Sequence, residues 1–148
     1  MRTGIFVAAA VLLAIPALAV ADPLPIGQIK TLAGEASVER AGKRLAAVTG
    51  NPVYLNDTVA TAPGGAIGIT LKDGTTLSLG EASRLTLDDF VYDPGQDKVG
   101  MNLGLAKGTL AYVSGRIAAV APASVAVRTP MATIGIRGTR FVVKAEEE

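Results

Sequence analysis

The chain has 148 residues, a formal charge of +1 at pH 7, and neither histidine nor cysteine. Those absences remove the commonest general base, the commonest zinc ligands, the thiol nucleophile and every disulfide in one step. A near-neutral charge with no basic stripe gives no support to nucleic-acid binding by phosphate neutralisation, and the length suits one domain.

At the amino end, Arg2 precedes an apolar run from Ile5 to Val20, and Ala19 and Ala21 stand at the two small-residue positions of a signal-peptidase site. The run is shorter than the ~20 residues that span a bilayer, and Pro16 interrupts it. Residues 1–21 therefore read as a cleaved signal peptide, which makes the chain periplasmic or secreted, with no stable membrane anchor after cleavage. With no cysteine there is no N-terminal lipid attachment. Loss of Arg2 with the leader brings the formal charge to zero. Residues 22–28, carrying Pro23 and Pro25, read as a mobile lead-in.

The rest reads as short strands. Gly27 to Ala33 is the first, and Ala36, Val38 and Arg40 alternate with Ser37 and Glu39 in the second. Ala41-Gly42-Lys43 turns the chain towards a return strand over Leu45 to Val48. Gly50-Asn51-Pro52 and Asn56-Asp57 are turn signals around a brief strand at Val53 to Leu55. Thr58 to Thr61 is β-branched at three of its positions. Ile67, Ile69 and Leu71 alternate cleanly, and Asp73-Gly74 separates them from Leu77 and Leu79. Asp-Gly predicts a hairpin with a type I′ turn, both central residues at φ > 0. Leu85 and Leu87 continue into Phe90 to Tyr92 with a change of phase near Asp88-Asp89. Asp93 to Asp97 is a polar turn; Met101, Leu103 and Leu105 alternate; Lys107-Gly108 turns into Leu110 and Tyr112. Arg116 to Ala121 reads either as one or two helical turns or as a strand, and Pro122 stops it.

From Val125 to Val143 apolar residues alternate at Val125 and Val127, at Ile134 and Ile136, and at Phe141 and Val143. The phase slips between Ile136 and Phe141, and Gly138 sits at the slip, where glycine tolerates the φ > 0 of a bulge. Pro130 marks a corner. The prediction is strand, proline corner, strand, glycine bulge, strand, with residues 145–148 as an acidic tail. Strand signals eight to twelve residues apart predict an all-β single domain of short antiparallel strands, either a β-sandwich or roll or an irregular β-solenoid whose rungs are Ile67–Leu71, Leu77–Leu79 and Leu85–Leu87.

The segment Thr129-Pro130, then Ile134-Gly135-Ile136-Arg137-Gly138-Thr139-Arg140-Phe141, resembles the closing motif of the FecR domain. The resemblance extends back through Gly50 to Val59, Asp73-Gly74-Thr75-Thr76-Leu77 and Lys107-Gly108-Thr109-Leu110, and covers roughly residues 29–144. It implies a periplasmic or exported FecR-type module. In the best-known members that module follows a cytoplasmic anti-sigma segment and a transmembrane helix, and relays a signal from an outer-membrane transporter. This chain departs from that plan by opening on a signal peptide, so the expectation is a stand-alone module.

The residues offer little chemistry. Ser83, beside Glu81 and Arg84, reads as a turn serine bonded to local backbone. Asp88, Asp89, Asp93 and Asp97 form the one carboxylate cluster, a calcium candidate without EF-hand spacing. Gly135 and Gly138 lack the Lys-Ser/Thr and helix of a phosphate loop. Arg128, Arg137 and Arg140 form the most prominent charge group, Arg137 and Arg140 flanking the predicted bulge, and they can fork onto a partner's carboxylate, or else protect a strand edge. The expectation is a non-enzymatic protein-interaction, sensing or scaffold module of the bacterial envelope, with no cofactor, no metal and no nucleic-acid partner. The alternative is a ligand-binding module for a cell-wall or exported polysaccharide or a small anion. The aromatic residues beyond the leader are Tyr54, Phe90, Tyr92, Tyr112 and Phe141, a thin set for sugar stacking.

Overall fold

Period-two alternation needs a sheet with one face buried, and this chain builds a single sheet that curls until its own face is its core. The computed structural model describes residues 4, 16–17, 23–136 and 138–146. Its strands are β1 (Gly27–Ala33), β2 (Ala36–Arg40), β3 (Lys43–Ala46), β4 (Pro52–Val53), β5 (Thr58–Thr61), β6 (Ala66–Leu71), β7 (Thr76–Leu79), β8 (Arg84–Asp93), β9 (Lys98–Val113), β10 (Val125–Arg128), β11 (Thr133–Gly135) and β12 (Arg140–Ala145). A short α-helix, α1 (Arg116–Val120), follows β9 and ends before Pro122, so the helical rather than the strand reading applies to this segment. The fold is an all-β domain shaped as a curled half-barrel.

The strands run in the order β3-β2-β5-β8-β9-β7-β6-β1-β4, and β9 is the spine. On one side β8 pairs with its first half and β7 with its second. On the other, β10 pairs with Met101–Gly104 and β12 with Gly108–Val113. All these pairs are antiparallel except β9 with β10, which is parallel. Ile29, Val59, Ile69, Leu77, Leu85, Leu103, Leu110 and Val127 share one cluster, each at most 1% exposed. Each such side chain contributes about 1.5–3 kcal/mol on burial. Ile26, just before β1, together with Val38 of β2 and Val53 of β4, belongs to the same core.

The solenoid reading is corrected. Ile67–Leu71 and Leu77–Leu79 are not stacked rungs but the two arms of the β6–β7 hairpin. Leu85–Leu87 instead lies between β5 and β9. The hairpin turn also differs from the type I′ expected. Gly74 N–H donates to Leu71 O (3.0 Å), Leu71 N–H donates to Thr75 O (2.8 Å), and only Gly74 is left-handed (φ 88°). That is a three-residue turn with glycine in the bulge position. Asp73 stays out of the left-handed region, and its carboxylate is buried.

Two phase changes in the sequence are bulges. In β8 the extra residue is Asp88, between Leu87 opposite Leu103 and Asp89 opposite Asn102, so Phe90 and Tyr92 take over the inner face. The second corrects the turn expected at Lys107-Gly108. No turn occurs there. β9 runs through, kinked at Gly108 (φ 92°), with Ala106 as the extra residue opposite β8. The inner face passes from Leu105 to Leu110 across the kink. Gly108 has no alternative, since a Cβ there would lie 2.4 Å from Ser83 Cα. The glycine bulge expected at Gly138 is likewise corrected. Gly138 is left-handed (φ 88°), but it lies in the connection from β11 to β12, and those two strands have different partners.

Candidate interaction surface

Three buried polar residues, Asp73 and Asp57 of the motif stretches and Ser83 outside them, are structural. Asp73, 2% exposed, accepts hydrogen bonds from Thr75 N–H (3.1 Å), Thr75 Oγ1 (2.7 Å) and Ile117 N–H (3.2 Å), and its carbonyl accepts from Arg116 N–H (2.9 Å). The Asp-Gly turn thereby holds the start of α1. Gly115 comes so close that a Cβ there would lie 2.4 Å from Thr75 N. Ser83 Oγ donates to Glu81 O (3.1 Å) and accepts from Thr109 N–H (2.9 Å), which ties the β7–β8 connection to the kink of β9. Asp57, 1% exposed, binds Arg40 through both oxygens (2.7 and 2.9 Å) and accepts from Tyr54 N–H (2.9 Å). Arg40 also lies over the Tyr54 ring, 4.4 Å from its centroid. The Asp57 carboxylate holds the Arg40 guanidinium above its ordinary pKa.

The closing motif forms the opposite kind of feature, an open edge. Thr129 closes the β10–β11 hairpin, its N–H donating to Ala132 O (2.8 Å) and its Oγ1 accepting from Ala132 N–H (3.1 Å). Pro130 and Met131 form the exposed tip, with Met131 75% exposed. Among the described residues β11 pairs only with β10, and β12 only with β9. A groove of about 430 Å³ lined by Ile134, Gly135, Phe141, Val142, Val143 and Lys144 lies along both strands. Phe141 stacks on its cross-strand partner Tyr112 (centroids 4.7 Å apart, planes at 22°), so the inner face of β12 is anchored. On the outer face stand Arg140, Val142 (66% exposed) and Lys144.

The direction of the β12 backbone follows from one bond. Thr139 O accepts from Ser114 N–H (2.8 Å), in register with Arg140 opposite Val113. Hydrogen-bonded pairs alternate in an antiparallel ladder. Phe141, Val143 and Ala145 therefore direct N–H and C=O towards β9, whereas Arg140, Val142 and Lys144 direct theirs to the open side. By the same count Thr133 and Gly135 carry the outward groups of β11, since Thr129 and Ala132 form a bonded pair.

The arginines expected together are separated. Arg128 stands beside Gly104 and Arg140 beside Val113, on opposite sides of the Gly108 kink, and Arg137 lies outside the described residues. Arg128 and Arg140 are exposed, and among the described residues neither has an ion-pair partner. Ala19 and Ala21 also lie outside the described residues. Asp88 and Asp89 are exposed around the β8 bulge while Asp93 and Asp97 flank the following turn, and no group of three carboxylates able to hold a cation forms among the described residues. Among the described residues, the large exposed hydrophobic residues include no aromatic ring.

The FecR protein family model matches residues 57–148, the larger part of the chain. The chain belongs to the FecR family. No curated protein and no solved structure matches it. FecR proteins are envelope-associated signalling and sensing proteins, regulatory rather than enzymatic, with protein partners and a domain that is typically periplasmic. No helix among the described residues is long and apolar enough to cross a membrane. The matched region of this FecR protein includes β5 to β12, and hence both the β9 spine and the open edge. Sequence reasoning singled out Arg128 and Arg140 but missed the Arg40–Asp57 lock. The available signal was Asp57 itself, an acidic residue between Tyr54 and the β-branched run at Thr58.

Proposed function

We propose that this chain is an exported, non-enzymatic protein-interaction module of the bacterial envelope, acting on its own, with its partner surface on β11, β12 and the β10–β11 tip. The observation that carries the reading is the open edge: two strands whose outer sides have no strand partner among the described residues, exposed Val142 and Met131, and Arg128 and Arg140, which have no ion-pair partner among them. Natural sheets blunt an edge with charge, and an edge that keeps an exposed valine between cations is also suited to contact. Export rests on residues 1–21 as a cleaved leader, and residues 29–144 as the working domain. The polysaccharide alternative finds no large exposed aromatic ring among the described residues to rest on.

The test is site-specific photo-cross-linking in the native bacterium, with the cross-linker at Met131 or Val142 and a control at Leu45 on the far edge strand β3. The expected result is an adduct with an envelope protein from Met131 and Val142 but not from Leu45, and a periplasmic or secreted chain processed after Ala21. A cytosolic chain with its leader intact would overturn the reading, as would equal adducts from all three positions.

A further inference from the structure

We infer that β12 is an acceptor edge for one added strand, and that it selects a partner segment with carboxylates two residues either side of a central apolar residue. This rests on the envelope-interaction reading and specifies its partner chemistry. The outward backbone groups belong to Arg140, Val142 and Lys144, the same three residues whose side chains occupy the outer face. An antiparallel strand bonded to them places its own residues directly opposite, at a spacing of two. Arg140 then faces one residue of the added strand, Val142 the next but one, and Lys144 the one after that.

Charge complementarity decides which residues fit. Arg140 has no ion-pair partner among the described residues, and Lys144 has only Glu146 at 3.5 Å, both side chains being at least 70% exposed. A carboxylate opposite each cation gains a charge pair, whereas a lysine there meets like charge. The apolar residue between them covers Val142. Five residues of added strand span roughly 17 Å, and they run into the groove whose other wall carries Ile134 and Gly135 of β11. Added main-chain bonds supply affinity, and the alternating side chains supply selection.

A second copy of the chain is a weaker occupant. Antiparallel self-pairing centred on Val142 sets Arg140 against Lys144 of the other copy. Centring it on Val143 sets Arg140 against Glu146 but Val142 against Lys144.

The probes are two blocked peptides, Thr-Asp-Thr-Val-Thr-Asp-Thr and the same sequence with lysine in place of aspartate, added to the full chain. Amide hydrogen exchange is read residue by residue. The expected result is that the aspartate peptide slows the amides of Arg140 and Lys144 at least tenfold, while those of Phe141 and Val143, already bonded to β9, change little. The lysine peptide leaves the exchange of all four amides unchanged. Val142→Pro removes one outward donor, a change an edge strand tolerates, and abolishes the slowing. The double variant Arg140→Asp with Lys144→Asp keeps every backbone group and reverses the preference between the peptides, which holds the test open if the proline variant does not fold. No slowing by the aspartate peptide at millimolar concentration would overturn the inference. So would equal slowing by both peptides, or slow exchange without peptide in a chain that sediments as a dimer. If the peptides fail while Val142 still cross-links to an envelope protein in the cell, strand addition is wrong and the envelope reading stands.

Discussion

Gly108→Ala is the sharpest test of the spine. The residue is left-handed (φ 92°), and a Cβ there would sit 2.4 Å from Ser83 Cα and 2.5 Å from Ser83 Cβ. Two costs add. A side chain in the left-handed region costs about 1–2 kcal/mol. Overpacking against atoms that cannot swing away costs about 1–3 kcal/mol more. Ser83 cannot retreat freely, because its N–H donates to Thr61 Oγ1 (2.9 Å) and its Oγ accepts from Thr109 N–H (2.9 Å). The expected loss is therefore about 2–5 kcal/mol, a fall in Tm of roughly 8–20 °C for a domain of this size. Gly42→Ala is the matched control, with φ 77° and nothing within 4 Å of its Cβ, so it should lose only the conformational part, about 1–2 kcal/mol. Both are read by urea denaturation followed by circular dichroism at one temperature. If Gly108→Ala falls within about 1 kcal/mol of Gly42→Ala, the packing argument at the kink is wrong.

Asp57→Ala removes the acceptor of Tyr54 N–H and both contacts to Arg40. The Arg40 side chain is 36% exposed and recovers water, so the loss expected is about 2–3 kcal/mol, less than for a fully buried pair. A double-mutant cycle with Arg40→Met should show coupling of at least about 1 kcal/mol, and additivity within error would make the lock illusory. Tyr112→Phe keeps the stack on Phe141 and deletes a buried hydroxyl that makes no well-formed hydrogen bond among the described residues, the nearby Thr75 hydroxyl being bonded to Asp73, so stability near neutral pH should stay level or rise slightly. Burial pushes the Tyr112 hydroxyl above the tyrosine value of 10.0, with Thr75 opposing. The folded state then holds that proton more tightly than the unfolded state, so wild-type stability falls as pH rises above about 10. The phenylalanine variant should lose less over that range, and parallel pH profiles for the two proteins would contradict the burial argument.

Local patterning made most strands legible. Ile67, Ile69 and Leu71 face the core as their alternation requires, and the phase change at Asp88 is the bulge that such a slip demands. Glycine was the harder residue to interpret. Gly74, Gly108 and Gly138 all take positive φ, yet one closes a hairpin, one kinks a continuous strand and one links strands with different partners. A sequence states that a glycine permits φ > 0; it does not state which chain passes close by. The arginines show the same limit. Arg128 and Arg140 are near in sequence, but β10 and β12 dock on different halves of β9.

The residues by themselves determined the class of this protein: period-two strands, a core without disulfides, and no histidine or cysteine for the usual catalysis. They also carried the motifs of the FecR family. Only the tertiary structure decided that a sixteen-residue strand serves as the spine, that β10 joins it in parallel, and that one side of β12 meets no other strand among the described residues. The physical reason is that side-chain alternation reports which face of a strand is buried. The partner on each edge depends on backbone hydrogen bonds between segments far apart in sequence, and every residue but proline offers the same donor and acceptor.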